Sequence, residues 1–363
     1  MLNKDIFIDK KKRLFLIISF FLLFSISIFI LWKSFKPFKN EIYFSENKTG
    51  NEEMIIEDSC RNQECADRSN LVRRKIDGIF VPAGNENPQL VGVMIDNHLD
   101  ARPQAGLTQA SLVYEAEAEG AVTRFLAFFT DSDAVEKIGP VRSARPYFID
   151  WATEINALYV HCGGSPDALD KIRNKGILAL DEFYNSRYFW RDNNRPRPHN
   201  LFTSVENLKN YLTKKNVKDD DYEAWKFKDD LPQPQPATTT IKINFRLPDF
   251  VVEWKYDQNS NSYIRYVRDK IQQTEKDETI AAKNVIIEYV NSKVVDEKAR
   301  LSMSNVGRDK AVICMDGQCK EGKWKKSTAN SRNLFYYNND ESVEFNAGIT
   351  WVEVVKNNYN VTY

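Results

Sequence analysis

Short apolar runs bounded by turn-forming residues recur from residue 76 onward and predict strands more than long helices. In the first half, the runs of strand length are 90–95, 112–119, 121–129 and 157–162. A helical pattern follows Pro146, Ser165-Pro166 has the order of a helix cap and a first-turn proline, and residues 203–206 fit a capping box. This mixture predicts an α+β or α/β domain over residues 76–213.

The second half of the chain is patterned almost entirely as strands. Apolar runs alternate there with clusters of Asn, Asp, Gly and Ser, at 241–245, 250–256, 263–268, 284–289, 310–314, 334–337 and 350–355. A charged stretch and the extended Pro-rich segment 231–236 precede them. We therefore expect a linker at 214–240 and a mainly antiparallel β-rich accessory domain at 241–363.

One apolar segment has the length of a membrane span. Residues 14–32 contain no charged side chain and are followed by a polar stretch, 33–75. Basic residues flank the segment on both sides, and the cluster before it favours a cytoplasmic N-terminus at 1–13. The pattern predicts a single-pass transmembrane anchor with the bulk of the chain extracytoplasmic on a linker; a cleaved signal peptide is the alternative.

Composition narrows the function classes. The 363 residues are 42% hydrophobic, which is enough for a substantial core, and 51 basic residues balance 51 acidic ones. This balance argues against a general nucleic-acid binder. The common signatures of P-loop, dinucleotide-binding, serine-esterase and zinc-protease sites are absent from the sequence.

The expected extracytoplasmic location favours disulfide bonds among the five cysteines, because thiols outside the cytoplasm tend to oxidise. An Asp-Gly turn lies between Cys314 and Cys319, so a tight hairpin would place them opposite each other at disulfide distance. Cys60 and Cys65 could close a similar loop, and Cys162 remains as a thiol in a strand. A four-cysteine metal site is the rival interpretation.

Basic residue type changes along the chain. Residues 76–208 hold nine Arg and three Lys, whereas the rest of the chain holds eleven Arg and twenty-eight Lys. Arginine is preferred where a planar, bidentate donor meets a carboxylate or phosphate. The first domain is therefore expected to pair arginines with anions, either those of a ligand or its own Asp and Glu residues.

Carboxylates alternate along one predicted strand. Glu115, Glu117 and Glu119 would share one face, with Arg124 on the next strand as a candidate partner. Carboxylates in such a row could carry out acid–base chemistry if their pKa values are shifted apart. A solvated strand face is the simpler alternative.

All three histidines, His98, His161 and His199, lie in the first domain beside turn-forming residues. Roles in ligand binding or as a general base are favoured over a three-histidine metal site, and no metal or cofactor is predicted. The residues before Pro166, Gly163-Gly164-Ser165, offer a generic anion site at a helix start. Two arginines, Arg142 and Arg145, precede another helix.

Several long motifs occur along the chain from the first domain to its end. They are Asn97-His98-Leu99-Asp100-Ala101-Arg102-Pro103-Gln104, Val113-Tyr114-Glu115, Glu119-Gly120, Thr123-Arg124-Phe125, residues 138–146, His161, residues 163–166, Pro198-His199-Asn200, Gly322-Lys323-Trp324 and Gly348-Ile349-Thr350-Trp351. In these motifs the chain resembles the YerB-like lipoprotein family, which implies an extracytoplasmic, membrane-attached protein of unknown function with a β-rich C-terminal domain. The chain departs from the family pattern because it lacks the lipidated cysteine and adds the 314/319 cysteine pair.

Three functions remain open at this point. The first is binding of an anionic cell-envelope component, such as peptidoglycan carboxylates or polymer phosphates, and the second is hydrolysis of an envelope glycan or phosphodiester in the same pocket. The third is a scaffold that recruits envelope proteins. The candidate catalytic residues are Glu115, Glu119, His98 and His199; the candidate ligand-binding residues are Asn97, Arg102, Arg124, Arg142, Arg145, His161, Ser165 and Asn200.

Overall fold

The structure, a computed structural model, describes residue 68, residues 70–217 and residues 221–363. All of them belong to one compact unit. The strands are β1 Leu71–Arg73, β2 Phe80–Pro82, β3 Leu90–Asp96, β4 Leu112–Glu117, β5 Thr123–Thr130, β6 Leu158–His161, β7 Ala179–Asp181, β8 Trp190–Arg191, β9 Leu201–Phe202, β10 Lys226–Lys228, β11 Thr240–Asn244, β12 Val251–Asp257, β13 Ser262–Val267, β14 Lys270–Ile271, β15 Ala281–Ala282, β16 Asn284–Val290, β17 Ser292–Val294, β18 Leu301–Met303, β19 Gly307–Met315, β20 Gln318–Lys326, β21 Leu334–Tyr337, β22 Glu344–Asn346, β23 Thr350–Lys356 and β24 Val361–Thr362.

The α-helices among the described residues are short. They are α1 Pro146–Thr153, α2 Pro166–Lys175, α3 Glu182–Asn185 and α4 Val205–Lys215, and 3-10 turns cover Leu99–Ala101, Leu107–Gln109, Ser186–Tyr188 and Pro248–Phe250.

A ten-stranded mixed sheet organises the fold, in the order β21-β20-β19-β16-β23-β4-β5-β3-β6-β7. A second sheet, β14-β13-β12-β11-β24 with β15 beside β13, packs against one face of it. Trp254 and Trp351 meet edge to face between the two sheets, with ring centroids 5.2 Å apart. On the opposite face, α1 lays Trp151 parallel to Tyr114 at 4.8 Å. The large sheet is therefore buried on both faces along its centre.

The predicted fold class is wrong. The chain does not form an α+β or α/β domain followed by a separate, mainly antiparallel β domain. It is mostly β, and the halves share one sheet because β23 pairs in parallel with β4 and also with β16. The strands β16 and β23 are buried on both faces, which is typical of interior strands of a parallel sheet and not of a half-solvated sandwich.

The fold class also included a transmembrane helix. No helix in the described part of the chain is long and apolar enough to cross a bilayer. The predicted anchor at 14–32, its cytoplasmic N-terminus 1–13 and the predicted pair Cys60 and Cys65 lie outside the described residues, as does most of the linker 33–75.

Several local predictions are confirmed. Cys314 and Cys319 are bonded across the β19–β20 hairpin, with Cα atoms 4.0 Å apart, as the Asp-Gly turn predicted. Ser165 caps α2 by position but its side chain makes no capping bond. The hydroxyl of Ser204 caps α4 by accepting a hydrogen bond from the backbone N–H of Asn207 at 3.2 Å. The predicted capping box over residues 203–206 implied a cap at Thr203, so the helix begins one residue later than predicted.

Candidate functional site

Asp96, the last residue of β3, organises a cluster of charged side chains. It is 2% exposed, and its Oδ2 lies 2.7 Å from His199 Nδ1 and 3.0 Å from Arg142 Nε. Its Oδ1 accepts the backbone N–H of His98 at 3.0 Å. The His98 ring stacks on His199 with centroids 4.7 Å apart and planes at 15°. One buried carboxylate thus fixes two histidines and an arginine.

Two more arginines adjoin this group. Arg124 is paired with Asp96 in the ladder of β5 with β3, and it donates to Glu119 Oε2 at 2.9 Å and to the Ser143 carbonyl at 2.9 Å. Arg145 forms an ion pair with the same Glu119. Burial and the nearby Arg145 lower the pKa of Arg124 to about 10, so it remains a cation at neutral pH.

The segment that carries Arg142 and Arg145 is held by short bridges to its neighbours. Val141 bridges Ile95 of β3, and Ala144 bridges Gly164. Gly139 has φ of +145°, and a Cβ there would lie 2.8 Å from the carbonyl oxygen of Leu201. Only glycine fits that crossing, so the sequence Gly-Pro-Val-Arg brings both arginines beside the end of β3.

The start of α2 borders the same segment. Ser165 donates its backbone N–H to the Ala144 carbonyl at 3.2 Å, and its Oγ is buried without a hydrogen-bond partner within the described residues. His161, 1% exposed, has Nδ1 2.9 Å from the Gly163 carbonyl and 4.0 Å from Asp181. Burial lowers the pKa of His161.

Glu115, a predicted catalytic carboxylate, belongs to a different environment. It is fully buried and forms an ion pair with Arg265 of β13, which is itself fully buried. It also accepts from Thr123 Oγ1 and, at 3.2 Å, from Asn97 Nδ2. Glu353 lies across Arg265, at 3.9 Å from its Nε, and burial together with Glu115 raises the pKa of Glu353.

The expectation that Glu115, Glu117 and Glu119 act as one row is wrong. Glu117 pairs with Lys356 at 2.6 Å, and β4 ends at Glu117. Glu119 lies in the turn that follows and pairs with Arg124 and Arg145. Glu119 lies only two residues beyond the end of β4, but the alternation of side chains between the two faces of a strand no longer applies there. The prediction that Glu119 shares a face with Glu115 and Glu117 depended on that alternation.

Three other predicted ligand-binding residues, Asn97, Arg102 and Asn200, make hydrogen bonds within the protein itself. Asn97 Oδ1 accepts from Arg102 Nε at 3.0 Å, and Arg102 Nη1 donates to the Asp249 carbonyl at 3.0 Å. Burial and Arg265 lower the pKa of Arg102 to about 10. Asn200 donates to the Asp192 carbonyl at 3.2 Å and accepts from Arg191 at 3.0 Å, which fixes its own loop.

Cys162 is the free cysteine of the described residues. Its thiol donates to Glu182 Oε2 at 3.3 Å, and burial and that carboxylate raise its pKa to about 12. A protonated thiol at neutral pH is a poor nucleophile.

Sequence reasoning missed Asp96, Asp100 and Arg265. Asp96 lies one residue beyond the predicted strand 90–95, and its position beside Asn97 gives it the same turn-rich surroundings that selected His98. Arg265 alternates with Tyr263 and Val267, both inward positions, so its burial was readable from the period-two pattern.

Comparisons with known proteins agree on one family. Residues 79–218 match the family described as "Protein of unknown function (DUF3048) N-terminal domain", and residues 241–352 match the DUF3048 C-terminal domain. A relative from Bacillus subtilis (strain 168), described as "Putative lipoprotein YerB", is 27% identical over 304 residues, covering 82% of this chain and 90% of the relative. The crystal structure of YerB protein from Bacillus subtilis superposes with a TM-score of 0.72 at 26% identity, covering 80% of this chain and 100% of that one.

Proposed function

This chain belongs to the DUF3048 family, and from that premise we propose that it is a membrane-associated, extracytoplasmic protein that binds an anionic group of a cell-envelope polymer. The binding group is the arginine cluster, defined as Arg124, Arg142 and Arg145 with Asp96 and Glu119 between them. The relative's description as a lipoprotein supports the location, and so does a disulfide between Cys314 and Cys319.

Charge counting supports an anion as the ligand. Three guanidinium groups in the arginine cluster share two carboxylates, because Glu119 pairs with Arg124 and Arg145 while Asp96 pairs with Arg142. One positive charge is left over within the cluster. A carboxylate or phosphate would balance this charge without displacing either internal carboxylate.

The observation that carries the proposal is the donor edge of Arg142. Its Nε lies 3.0 Å from Asp96 Oδ2 as an ion pair without hydrogen-bond geometry, so that within the described residues none of its nitrogens makes a hydrogen bond, and the side chain is 26% exposed. A guanidinium positioned at one end and open at the other can bind an oxyanion through two parallel bonds. The start of α2 borders the segment that carries Arg142, and there the buried, unpartnered hydroxyl of Ser165 and the first helical turn supply further donors.

Sedimentation with purified cell walls tests the proposal. We expect the full-length protein to pellet with walls, and Arg142→Ala to pellet at least about 10-fold less, since a hydrogen bond to a charged group contributes about 1.5–3 kcal/mol. Arg173→Ala, which removes an exposed arginine at the far end of α2, should bind like the wild type. Walls treated with hydrofluoric acid, which lack phosphodiesters, distinguish phosphate from carboxylate as the anion.

Equal pelleting of wild type and Arg142→Ala on every wall preparation would contradict the proposal and favour the scaffold function, in which the arginines only pair internally.

A hydrolase is the second candidate, and one observation favours it. His199 Nδ1 is bound to Asp96, which leaves Nε2 available as a base in the arrangement of a carboxylate-oriented histidine. Glu115 cannot share this role because Arg265 holds it in the interior. Cleavage of a phosphodiester by the wild type that is lost in His199→Gln, while wall binding persists, would establish this function.

A further inference from the structure

We propose that His98, Asp100 and His199 form a binding site for a divalent transition-metal ion of the zinc class. The site lies at the rim of the arginine cluster and shares Asp96 with it, but its three ligands are not members of that cluster. It is not the three-histidine site considered from the sequence, because His161 is not part of the group.

The three side chains already lie at near-ligand separations. One ligand atom from each falls within 4.8 Å of the others. His98 Nδ1 is 3.5 Å from Asp100 Oδ2. With bonds of about 2.0–2.1 Å, two ligands of a tetrahedral zinc ion lie about 3.4 Å apart, so this pair needs almost no movement.

The hydrogen bonding permits coordination by both histidines. His98 Nδ1 accepts the backbone N–H of Asp100 at a long 3.2 Å, and a metal ion bound at Nδ1 replaces this weak hydrogen bond. Two electron-rich atoms facing each other at 3.5 Å are stabilised by a cation between them. In His199, Nδ1 is hydrogen-bonded to Asp96, which leaves Nε2 as the metal-binding nitrogen.

Asp96 also supplies the outer layer of a metal site. Histidine ligands typically donate their second N–H to a carboxylate, which fixes the ring and raises its basicity, and the 2.7 Å contact between Asp96 and His199 has this form. The parallel stacking of His98 on His199 holds both rings at one rim.

The exposures allow an ion to enter and the ligands to close on it. The His98 and Asp100 side chains are 41% and 61% exposed, whereas His199 is 10% exposed. The two exposed side chains therefore have room to rotate and close the 4.8 Å span of the group around the buried His199. Two histidines and one carboxylate leave a coordination position open for water or a ligand oxygen, as in catalytic zinc sites.

The test is a zinc titration of the full-length protein without a polyhistidine tag, in a Cys60→Ser/Cys65→Ser/Cys162→Ser background that removes every cysteine outside the Cys314–Cys319 disulfide. The protein is stripped with a chelator and titrated in phosphate-free buffer against a chromogenic zinc indicator. We expect saturation at one equivalent per chain, and a cobalt-loaded sample with the visible absorption of tetrahedral coordination.

Four variants sharpen the test. Asp100→Asn and His98→Gln should weaken zinc binding at least about 10-fold, and Asp96→Asn about 10–100-fold through loss of its hold on His199. Asp170→Asn, a matched change at an exposed aspartate in α2, should have no effect. No saturable binding by the parent protein, or equal affinity in Asp100→Asn and His98→Gln, would overturn the proposal.

The outcome is separable from that of the proposed function. Anion binding is measured in chelator and depends on Arg142, whereas zinc binding is measured without anions and depends on Asp100. Zinc on Nε2 of His199 excludes its use as a base in the same state, so saturation at this site would also argue against the metal-free hydrolase.

Discussion

Breaking the buried ion pair between Arg265 and Glu115 should destabilise the whole described unit. Both side chains are fully buried, and the guanidinium lies 5.2 Å from the ring centroid of Trp351. Arg265→Met would leave the Glu115 carboxylate without its cation, and removal of one partner from a buried pair costs about 3–5 kcal/mol. We expect the free energy of unfolding, from urea titration followed by tryptophan fluorescence, to fall by that amount.

A double-mutant cycle gives the prediction its control. In Arg265→Met/Glu115→Gln neither charge remains, so the loss should be smaller than the sum of the two single losses. Arg308→Met, a matched change at an exposed arginine of β19, should alter stability by no more than about 0.5 kcal/mol. The Arg265–Glu115 pair joins β13 and β4, which come from different halves of the chain. We therefore expect the wild type and each variant to unfold in a single cooperative transition. A loss below about 1 kcal/mol for Arg265→Met, or strict additivity, would refute this reasoning.

Two further predictions concern the second half of the chain. Burial and Glu154 raise the pKa of Glu288 to about 8, and its Oε1 has no hydrogen-bond partner among the described residues, so folding favours the protonated acid. Stability from this group is complete below about pH 4.5 and is lost as the pH rises towards 8; Glu288→Gln should therefore flatten the unfolding free energy measured between those pH values, and an unchanged slope would contradict the assignment. Separately, Cys314→Ser/Cys319→Ser should lower the unfolding free energy by about 2 kcal/mol, because the closed loop is short, and a reductant should then have no further effect on denaturation of the variant.

The sequence was most informative where a local pattern determines the structure. Apolar runs located most of the long strands, and the Asp-Gly turn placed Cys314 opposite Cys319 because a tight hairpin fixes its own register. The strand Gln318–Lys326 was missed, since its Lys-rich sequence lacks an apolar run and it is held by its neighbours in the sheet.

Long-range pairing was not readable in the same way. The contact of β23 with β4 joins segments more than 200 residues apart, and no local signal selects that partner among several apolar strands. The same limit applies to the site: His98 and His199 were both selected from their turn-rich surroundings, but only the structure places them in a stack above Asp96.

Calorimetric titration of inorganic phosphate into the metal-free, full-length protein, side by side with Arg142→Ala and Arg173→Ala, tests the anion site most directly. The account predicts saturable binding by the wild type and Arg173→Ala, and a loss of at least about 10-fold in affinity for Arg142→Ala, because only that variant removes the open donor edge beside Asp96. Binding of equal strength in all three proteins, or in none of them, would contradict it.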